Sequence, residues 1–313
     1  MLAAAALPCL LPLSACRPTR PLVLSGHPWP GYESMFLART LGHMPEGLRL
    51  HEAPTVQASI DAVKQGMADG AMLTLDEILM LRDQGVPLQV VLVFDVSKGA
   101  DVLLARPTLQ RLADLKGRRI GAEDSALGTL MLSMVLEKAG LQARDVQVQR
   151  ILFEEQEAAW SRGGIDALVT YEPVATRLKK NGARQLLSTR EMPDTIFDVL
   201  AVHPAALESH GHILLSAIAG YFKALGYLRQ NPWDAAYQTA PRLNVTAEEM
   251  VGSLRGLELP DLIGNQRYLS AQDGDLQRVT NKLSSIMLQA GIIRQPVDAR
   301  MLFSSTYLPA AES

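Results

Sequence analysis

The chain has 313 residues, of which 48% are hydrophobic and 20% are charged. This is the composition of an ordinary globular protein, and it excludes a disordered or low-complexity chain. The net charge of −3 gives no broad basic field, so we expect no nucleic-acid partner. Both cysteines, Cys9 and Cys16, lie in the first sixteen residues. The sequence after them therefore has no disulfide, thiol nucleophile or cysteine metal site.

The first sixteen residues, MLAAAALPCLLPLSAC, are apolar and too short to span a bilayer as a helix. They are typical of the hydrophobic region and cleavage site of a secretory signal. The segment 13–16, LSAC, resembles a bacterial lipobox, in which Cys16 is lipidated and becomes the new first residue. We expect residues 1–16 to be a signal peptide with a lipobox. A plain signal peptide cleaved nearby and a disordered apolar start are the alternatives.

The next part of the chain alternates between short apolar strands and amphipathic helices. Strands are predicted at 21–25, 48–51, 71–75, 88–94 and 102–105, with helices after residue 34, at 56–67 and from 76 to 85. The second of these helices carries Val56, Ile60, Val63 and Met67 at helical spacing. The run 88–94 is almost continuously apolar, which is typical of a strand buried on both faces of a parallel sheet.

The alternation then starts again and gives way to helices. Strands are predicted at 119–122, 146–152, 165–170, 185–188 and 199–202, with helices between them, and long helices at 213–229 and 276–290. Thr246 and Glu249 form a capping box. Such alternation indicates open parallel sheets with helices on both faces. Residues 65–73 and 162–169 resemble each other, which suggests two similar lobes with a ligand between them, at the carboxyl ends of the strands.

Together these features resemble the substrate-binding proteins of bacterial ABC importers, above all the nitrate, sulfonate, taurine and thiamine-precursor group. The resemblance covers about residues 22–235, and its best segments are 58–73, 112–122, 136–146 and 163–173. The last and the second of these contain GIDA at 164–167 with YEP at 171–173, and LADLKGRRIG at 112–121. The resemblance implies an α/β fold of the type II periplasmic-binding-protein clamshell, with two lobes of open, mostly parallel sheets joined by two crossover strands. Carried over, lobe one is 21–106 plus 204–313, lobe two is 107–203, and the crossovers lie at 101–105 and 198–202.

The first candidate ligand-binding residues follow strands of lobe one. Trp29, Tyr32 and Glu33 come just after the first strand, where prolines and a glycine interrupt regular structure. Trp29 and Tyr32 predict an aromatic wall for a flat or cationic ligand, the alternative being a rigid turn with a core tryptophan. Asp76 follows the third strand, where it either contacts the ligand or caps the next helix.

Further candidates lie near the entry into lobe two. Asp95 and Ser97 belong to a loop suited to polar ligand groups, or to a solvated turn. Ser125, Gly128 and Thr129 open a helix whose free N–H groups can bind an anion, although Ser125 also fits a simple cap. In the resembling family this position contacts the acidic group of the ligand.

The last candidates are Tyr171 and Glu172, which face the cleft in the resembling family, and Asp198, beside the second crossover. The carboxylates that this scheme places near the cleft are Glu33, Asp76, Asp95, Glu172 and Asp198. A simple oxyanion such as nitrate would require arginines there instead. The sequence therefore favours an organic ligand with an amine or a heteroaromatic ring.

The resulting hypothesis is a non-enzymatic, monomeric capture protein that delivers a small molecule to an ABC permease and its ATPase. It would be lipid-anchored in the periplasm or on the outer face of the cytoplasmic membrane, without a cofactor. One alternative is a ligand-sensing receptor that acts through a protein partner. Another is an enzyme like the pyrimidine-forming enzymes of thiamine biosynthesis, whose cysteine-rich motif this sequence lacks. His210 and His212 have no third ligand nearby in the sequence, so no metal site is expected.

Overall fold

The computed structural model describes residues 20–270 and 274–310. The expected signal peptide at 1–16, with the lipidation site Cys16, lies outside these residues. Within them, no helix combines the length and the apolar character needed to cross a membrane.

The first sheet has six strands in the order β11–β4–β10–β3–β1–β2. They are β1 (Leu22–Gly26), β2 (Leu48–Glu52), β3 (Gly70–Thr74), β4 (Gln89–Ser97), β10 (Phe197–Val202) and β11 (Leu257–Glu258). The second sheet has five strands in the order β7–β6–β8–β5–β9. They are β5 (Val102–Ala105), β6 (Arg119–Ala122), β7 (Gln147–Arg150), β8 (Ala167–Thr170) and β9 (Arg184–Ser188).

Helices connect and cover the strands. They are α1 (Glu33–Thr40), α2 (Val56–Lys64), α3 (Leu75–Asp83), α4 (Ala126–Ala139), α5 (Gln156–Ser161), α6 (Val174–Lys180), α7 (Pro204–Gln230), α8 (Pro232–Thr239), α9 (Ala247–Leu254), α10 (Leu262–Tyr268) and α11 (Asp275–Gln289). The ends follow local chemistry: Gly140 ends α4 with φ of 67°, and the predicted capping box of Thr246 and Glu249 is formed at α9.

Both sheets are mixed. Most strands of each sheet run in one direction, but β10 lies antiparallel between β3 and β4, and β5 lies antiparallel between β8 and β9. β10 and β5 are each the first strand that the chain forms after crossing to the other sheet, and the short edge strand β11 also lies antiparallel to β4. An apolar run shows that a strand forms, but not the direction of its neighbours.

The crossings themselves lie at 98–101 and 189–196, because β4 and β10 belong to the first sheet and β5 and β9 to the second. The boundaries expected at 106/107 and 203/204 therefore each lie one strand too late. We use lobe one for the first sheet with its helices and lobe two for the second. The carboxyl ends of β1 and β3 in lobe one face those of β6 and β8 in lobe two, and residues just beyond these ends form a cavity.

Candidate ligand site between the lobes

A small cavity of about 20 Å³ lies between the lobes. Its wall consists of His27, Trp29, Val56, Thr74, Glu77, Glu123, Leu127, Tyr171 and Asp198. This volume holds about one water molecule, so the structure shows the clamshell closed. Trp29 of lobe one and Tyr171 of lobe two meet across the cleft with ring centroids 5.5 Å apart, edge to face.

Three neighbouring strands form the floor of this site. Asp198 on β10 pairs in register with Thr74 on β3 and with Asp95 on β4, and all three residues are buried. The Tyr32 hydroxyl donates a hydrogen bond to Oδ1 of Asp198 at 2.5 Å, and Trp29 Nε1 donates one to Oδ2 of Asp95 at 3.1 Å. The sheet carboxyls thus hold both predicted aromatic residues, of which Trp29 lines the cavity whereas the fully buried Tyr32 does not.

Buried carboxyl groups converge on this floor from both lobes. Glu77, Glu123 and Asp198 line the cavity, whereas Asp76, Asp95 and Asp101 are buried without lining it. Burial raises the pKa of Asp76, Asp95 and Glu123 to about 7, and it raises the pKa of Glu77 and Asp198 well above the usual range. Neighbouring carboxyls raise these values further, as Asp95 does for Asp198. A cation placed beside these carboxyls would lower their pKa values, because it favours the charged form of each group.

The wall of the cavity supplies no compensating positive charge. Among the described residues that line it, none is a lysine or an arginine. Burial, with the charge of Arg242 adding to it, lowers the pKa of His27 to about 3, so this imidazole is neutral. The described wall of the cavity therefore offers carboxyl groups, but no cationic side chain, to a ligand.

Several polar atoms of the site have no hydrogen-bond partner among the described residues. They are both carboxylate oxygens of Asp76, Oδ1 of Asp95, Oδ2 of Asp101, Oγ1 of Thr74 and Nδ1 of His27. Buried acceptors are almost always satisfied in proteins, and leaving one unpaired costs about 1–3 kcal/mol. Of these atoms, only those of Thr74 and His27 belong to residues that line the cavity.

A larger groove adjoins the cavity. We call it the outer groove; it has a volume of about 670 Å³ and shares Val56 and Glu123 with the cavity. Its wall consists of Thr55, Val56, Gln57, Ile60, Met80, Glu123, Asp124, Ser125, Ala126, Thr129, Arg150, Leu152, Glu154, Ala290, Gly291 and Ile292. Of the sequence candidates, Ser125 and Thr129 therefore lie on this groove and not on the inner cavity.

Two candidates of lobe one are engaged elsewhere. Glu33 is buried and paired with Arg242, whose guanidinium carbon lies 3.4 Å from the centroid of the Phe36 ring. Ser97 Oγ lies 2.7 Å from Thr189 Oγ1, a contact that joins the two crossing segments. Neither Glu33 nor Ser97 lines the cavity, and their contacts stabilise the segments around it.

Candidates at the start of α4 and α6 have local partners. Ser125 Oγ accepts a hydrogen bond from the Gly128 N–H at 3.0 Å and donates one to Oε2 of Glu123 at 3.0 Å. A Cβ at position 128 would lie 2.3 Å from the Glu123 carbonyl oxygen, so the glycine permits this packing. Glu172 accepts from the Thr176 N–H at 3.0 Å and lies 3.5 Å from the Lys179 ammonium group.

Sequence reasoning did not single out His27, Val56, Glu77, Glu123 and Leu127, which line the cavity, or Phe153, which stacks on Tyr171. Glu77 was detectable, because it follows Thr74 by three residues and accepts its N–H at 2.9 Å, as in a capping box. Glu123 follows directly on β6, at a strand end like those used to select Asp76 and Asp95. The ring of Phe153 stacks on the ring of Tyr171 with the two centroids 4.2 Å apart, and no local sequence pattern predicts that contact.

The family profile described as NMT1/THI5 like matches residues 35–235. The chain belongs to this family. A putative binding protein of Brucella abortus (strain 2308) is 22% identical over 222 residues, which are 67% of each chain. The taurine-binding periplasmic protein of Escherichia coli (strain K12) is 24% identical over 217 residues, covering 68% of this chain and 66% of the relative.

Solved structures show the same fold. The periplasmic aliphatic sulphonate binding protein of Escherichia coli superposes with a TM-score of 0.78 at 17% identity, covering 94% of this chain and 95% of that one. The desulfurization enzyme DszB superposes with a TM-score of 0.66 at 18% identity, covering 91% and 97%. The clamshell expected from the sequence is therefore confirmed, and it is shared by binding proteins and by an enzyme.

Proposed function

We propose that this protein is the extracytoplasmic solute-binding component of an ABC importer, and that its solute is a small organic cation bearing an amine or a protonated heteroaromatic ring. Family membership supports the transport role, since relatives across two thirds of the chain include a taurine-binding periplasmic protein. The charge of the solute follows from the site and not from the relatives.

The buried carboxyl cluster carries this proposal. Glu77, Glu123 and Asp198 line the cavity, without a lysine or arginine among its described wall residues. A sulfonate or nitrate placed there would meet like charge and few donors, whereas those anions are recognised by arginine and N–H groups. An ammonium or amidinium group instead donates to the carboxylate oxygens and removes the cost of holding them together.

The aromatic residues complete a cation site. A cation within about 6 Å of an aromatic face gains about 0.5–2 kcal/mol, more when it is desolvated. Trp29 comes from lobe one, while Tyr171, backed by Phe153, comes from lobe two. A cation or flat heterocycle between them would touch both lobes. Its binding would therefore favour the closed clamshell by hinge motion.

The amino-terminal segment extends the proposal to the membrane. With residues 1–16 as the signal and Cys16 lipidated, the monomeric protein would be held at the outer face of the cytoplasmic membrane, next to its permease and ATPase. Metabolic labelling with a radioactive fatty acid tests this. Label on the wild type and none on Cys16→Ser is expected; label retained by Cys16→Ser would contradict it.

A binding panel tests the solute class. Purified protein is titrated calorimetrically with methylamine, putrescine, aminopyrimidines, taurine, alkanesulfonates, nitrate and amino acids. A cation at a hundred times its dissociation constant should add about 2.7 kcal/mol to the free energy of unfolding. Recovery of the bound solute with its mass unchanged supports capture over catalysis. Binding of sulfonates or nitrate, but of no cation, would overturn the proposal.

Matched variants locate the binding. Asp95→Asn and Glu123→Gln should each weaken cation binding, because each removes one buried charge without changing side-chain size. Glu208→Gln makes the same chemical change at an exposed position on α7 and should leave the affinity as it is. Equal affinity in all three variants would place the binding site outside the cleft.

A further inference from the structure

The inner cavity and the outer groove differ greatly in size. The inner cavity, with about 20 Å³, has room for one group of the size of a water molecule or an ammonium. The outer groove, with about 670 Å³, is within the size range of pockets that hold whole small molecules. Both share Val56 and Glu123 in their walls, so the two compartments are adjacent.

The two compartments also differ in chemistry. The described wall of the cavity carries three carboxyl side chains, whereas apolar side chains from both lobes line much of the groove: Val56, Ile60, Met80, Leu152 and Ile292. Leu152 is 57% exposed, a large apolar surface that no packing inside its own lobe covers.

The charged groups of the groove do not indicate an acidic ligand there. Its described wall carries Glu123, Asp124 and Glu154 against one arginine, Arg150. Arg150 already donates a hydrogen bond to the Glu123 carbonyl oxygen at 3.1 Å. The groove is therefore better suited to an uncharged, apolar part of a ligand than to an anionic one.

We propose that the solute is an amphiphilic cation, with an amine-type head in the inner cavity and an apolar body of several carbon atoms along the outer groove. This inference rests on the proposed function and specifies its substrate class. The body would contact α2 of lobe one and Leu152 of lobe two, so its burial would contribute to closure as well as to affinity.

A series of n-alkylamines, from methylamine to hexylamine, tests the inference by calorimetric titration of the full chain at pH 7.5. All members carry the same ammonium group, so only the apolar body varies. Burying one methylene in the groove should tighten binding about two- to four-fold, so affinity should rise steadily along the series. Leu152→Asn should reduce this increment while leaving the affinity for methylamine unchanged.

The matched control is Ile263→Asn, an exposed isoleucine on α10 that lines neither compartment. It should keep the full chain-length increment. Equal or falling affinity along the series would overturn the amphiphile while leaving a cation site intact. Failure of every alkylamine to bind would overturn the inference, and binding of alkanesulfonates but of no cation in the panel would overturn the proposed function as well.

Discussion

Replacing Asp95 by asparagine should stabilise the ligand-free protein while weakening its binding of cations. Asp95 is fully buried, its Oδ1 has no hydrogen-bond partner among the described residues, and Asp198 lies directly across from it on the neighbouring strand. Asparagine has the same shape and keeps an oxygen that can accept from Trp29 Nε1. The substitution therefore removes a buried charge and little else.

The magnitude follows from the pKa of Asp95, which burial raises from 3.8 to about 7. That difference corresponds to a cost of about 4 kcal/mol for keeping the ionised carboxylate in the closed protein. Two effects reduce this gain. The neutral amide oxygen of asparagine weakens the hydrogen bond from Trp29 by about 1 kcal/mol, and opening of the lobes in the wild type hydrates part of the carboxylate charge. We expect Asp95→Asn to gain about 1–3 kcal/mol in the free energy of unfolding at pH 8.

The sign of the pH dependence follows from the same shift. Because the pKa in the folded state lies above that in the unfolded state, the folded protein retains the proton between about pH 4 and 7. The wild type therefore loses stability as the pH rises through this window, and Asp95→Asn loses less. The advantage of the variant should be largest at pH 8 and close to zero at pH 5.

Urea unfolding at pH 5 and pH 8, together with calorimetric titration of the tightest cation from the panel, measures both effects. Loss of one charged partner should cost about 1.5–3 kcal/mol of binding, or about ten- to 150-fold in affinity. Asp166→Asn is the matched control: Asp166 pairs with Arg119 at 2.9 Å, which lowers the pKa of Asp166, so this variant should be destabilised. An Asp95→Asn variant that is less stable than the wild type at pH 8 would refute the reasoning.

Three further predictions concern the same cleft. Cation affinity should rise between pH 5 and 7, by up to tenfold per pH unit for each proton that binding displaces. Calorimetry in buffers of different ionisation enthalpy would show the released protons, and an affinity that does not depend on pH would contradict the prediction. Trp29→Leu should weaken cation binding about two- to 30-fold in titrations, since the aromatic face is lost. Arg177→Gln removes the 3.0 Å ion pair that joins lobe two to Glu249 of lobe one, and its loss should favour the open form. X-ray scattering of the ligand-free variant should therefore show a larger radius of gyration, while the affinity should change less than about fivefold.

The elements of the fold were largely predictable because their signals are local. The predicted strands 102–105 and 119–122 have the bounds that the structure shows. The pairing of the strands was not predictable to the same degree. Membership of β5 in the second sheet and of β10 in the first depends on partners far along the chain, such as Leu73 opposite Val199.

The sequence indicated which polar and aromatic residues follow the strands, but not how those residues contact one another. Strand ends meet at one edge of a parallel sheet, so Asp76, Asp95 and Trp29 could be assigned to one cleft from the sequence. The direct opposition of Asp95 and Asp198 arises only when the chain returns about a hundred residues later and inserts β10 beside β4. The assignment of Glu33 to the cleft rested on proximity in sequence, whereas its charge is paired with Arg242.

On the proposed function, the carboxyls that bind the solute would also affect closure of the two lobes. Glu77 belongs to lobe one and Glu123 to lobe two, and the negative charge of Glu123 contributes to the raised pKa of Glu77. When these groups are ionised, closing the lobes brings like charges together in a site with little water, which is unfavourable. A cation or bound protons remove that repulsion, so closure depends on positive charge in the cleft. On the proposed function, the carboxyl cluster destabilises the closed, ligand-free protein, and this cost makes closure specific for the solute.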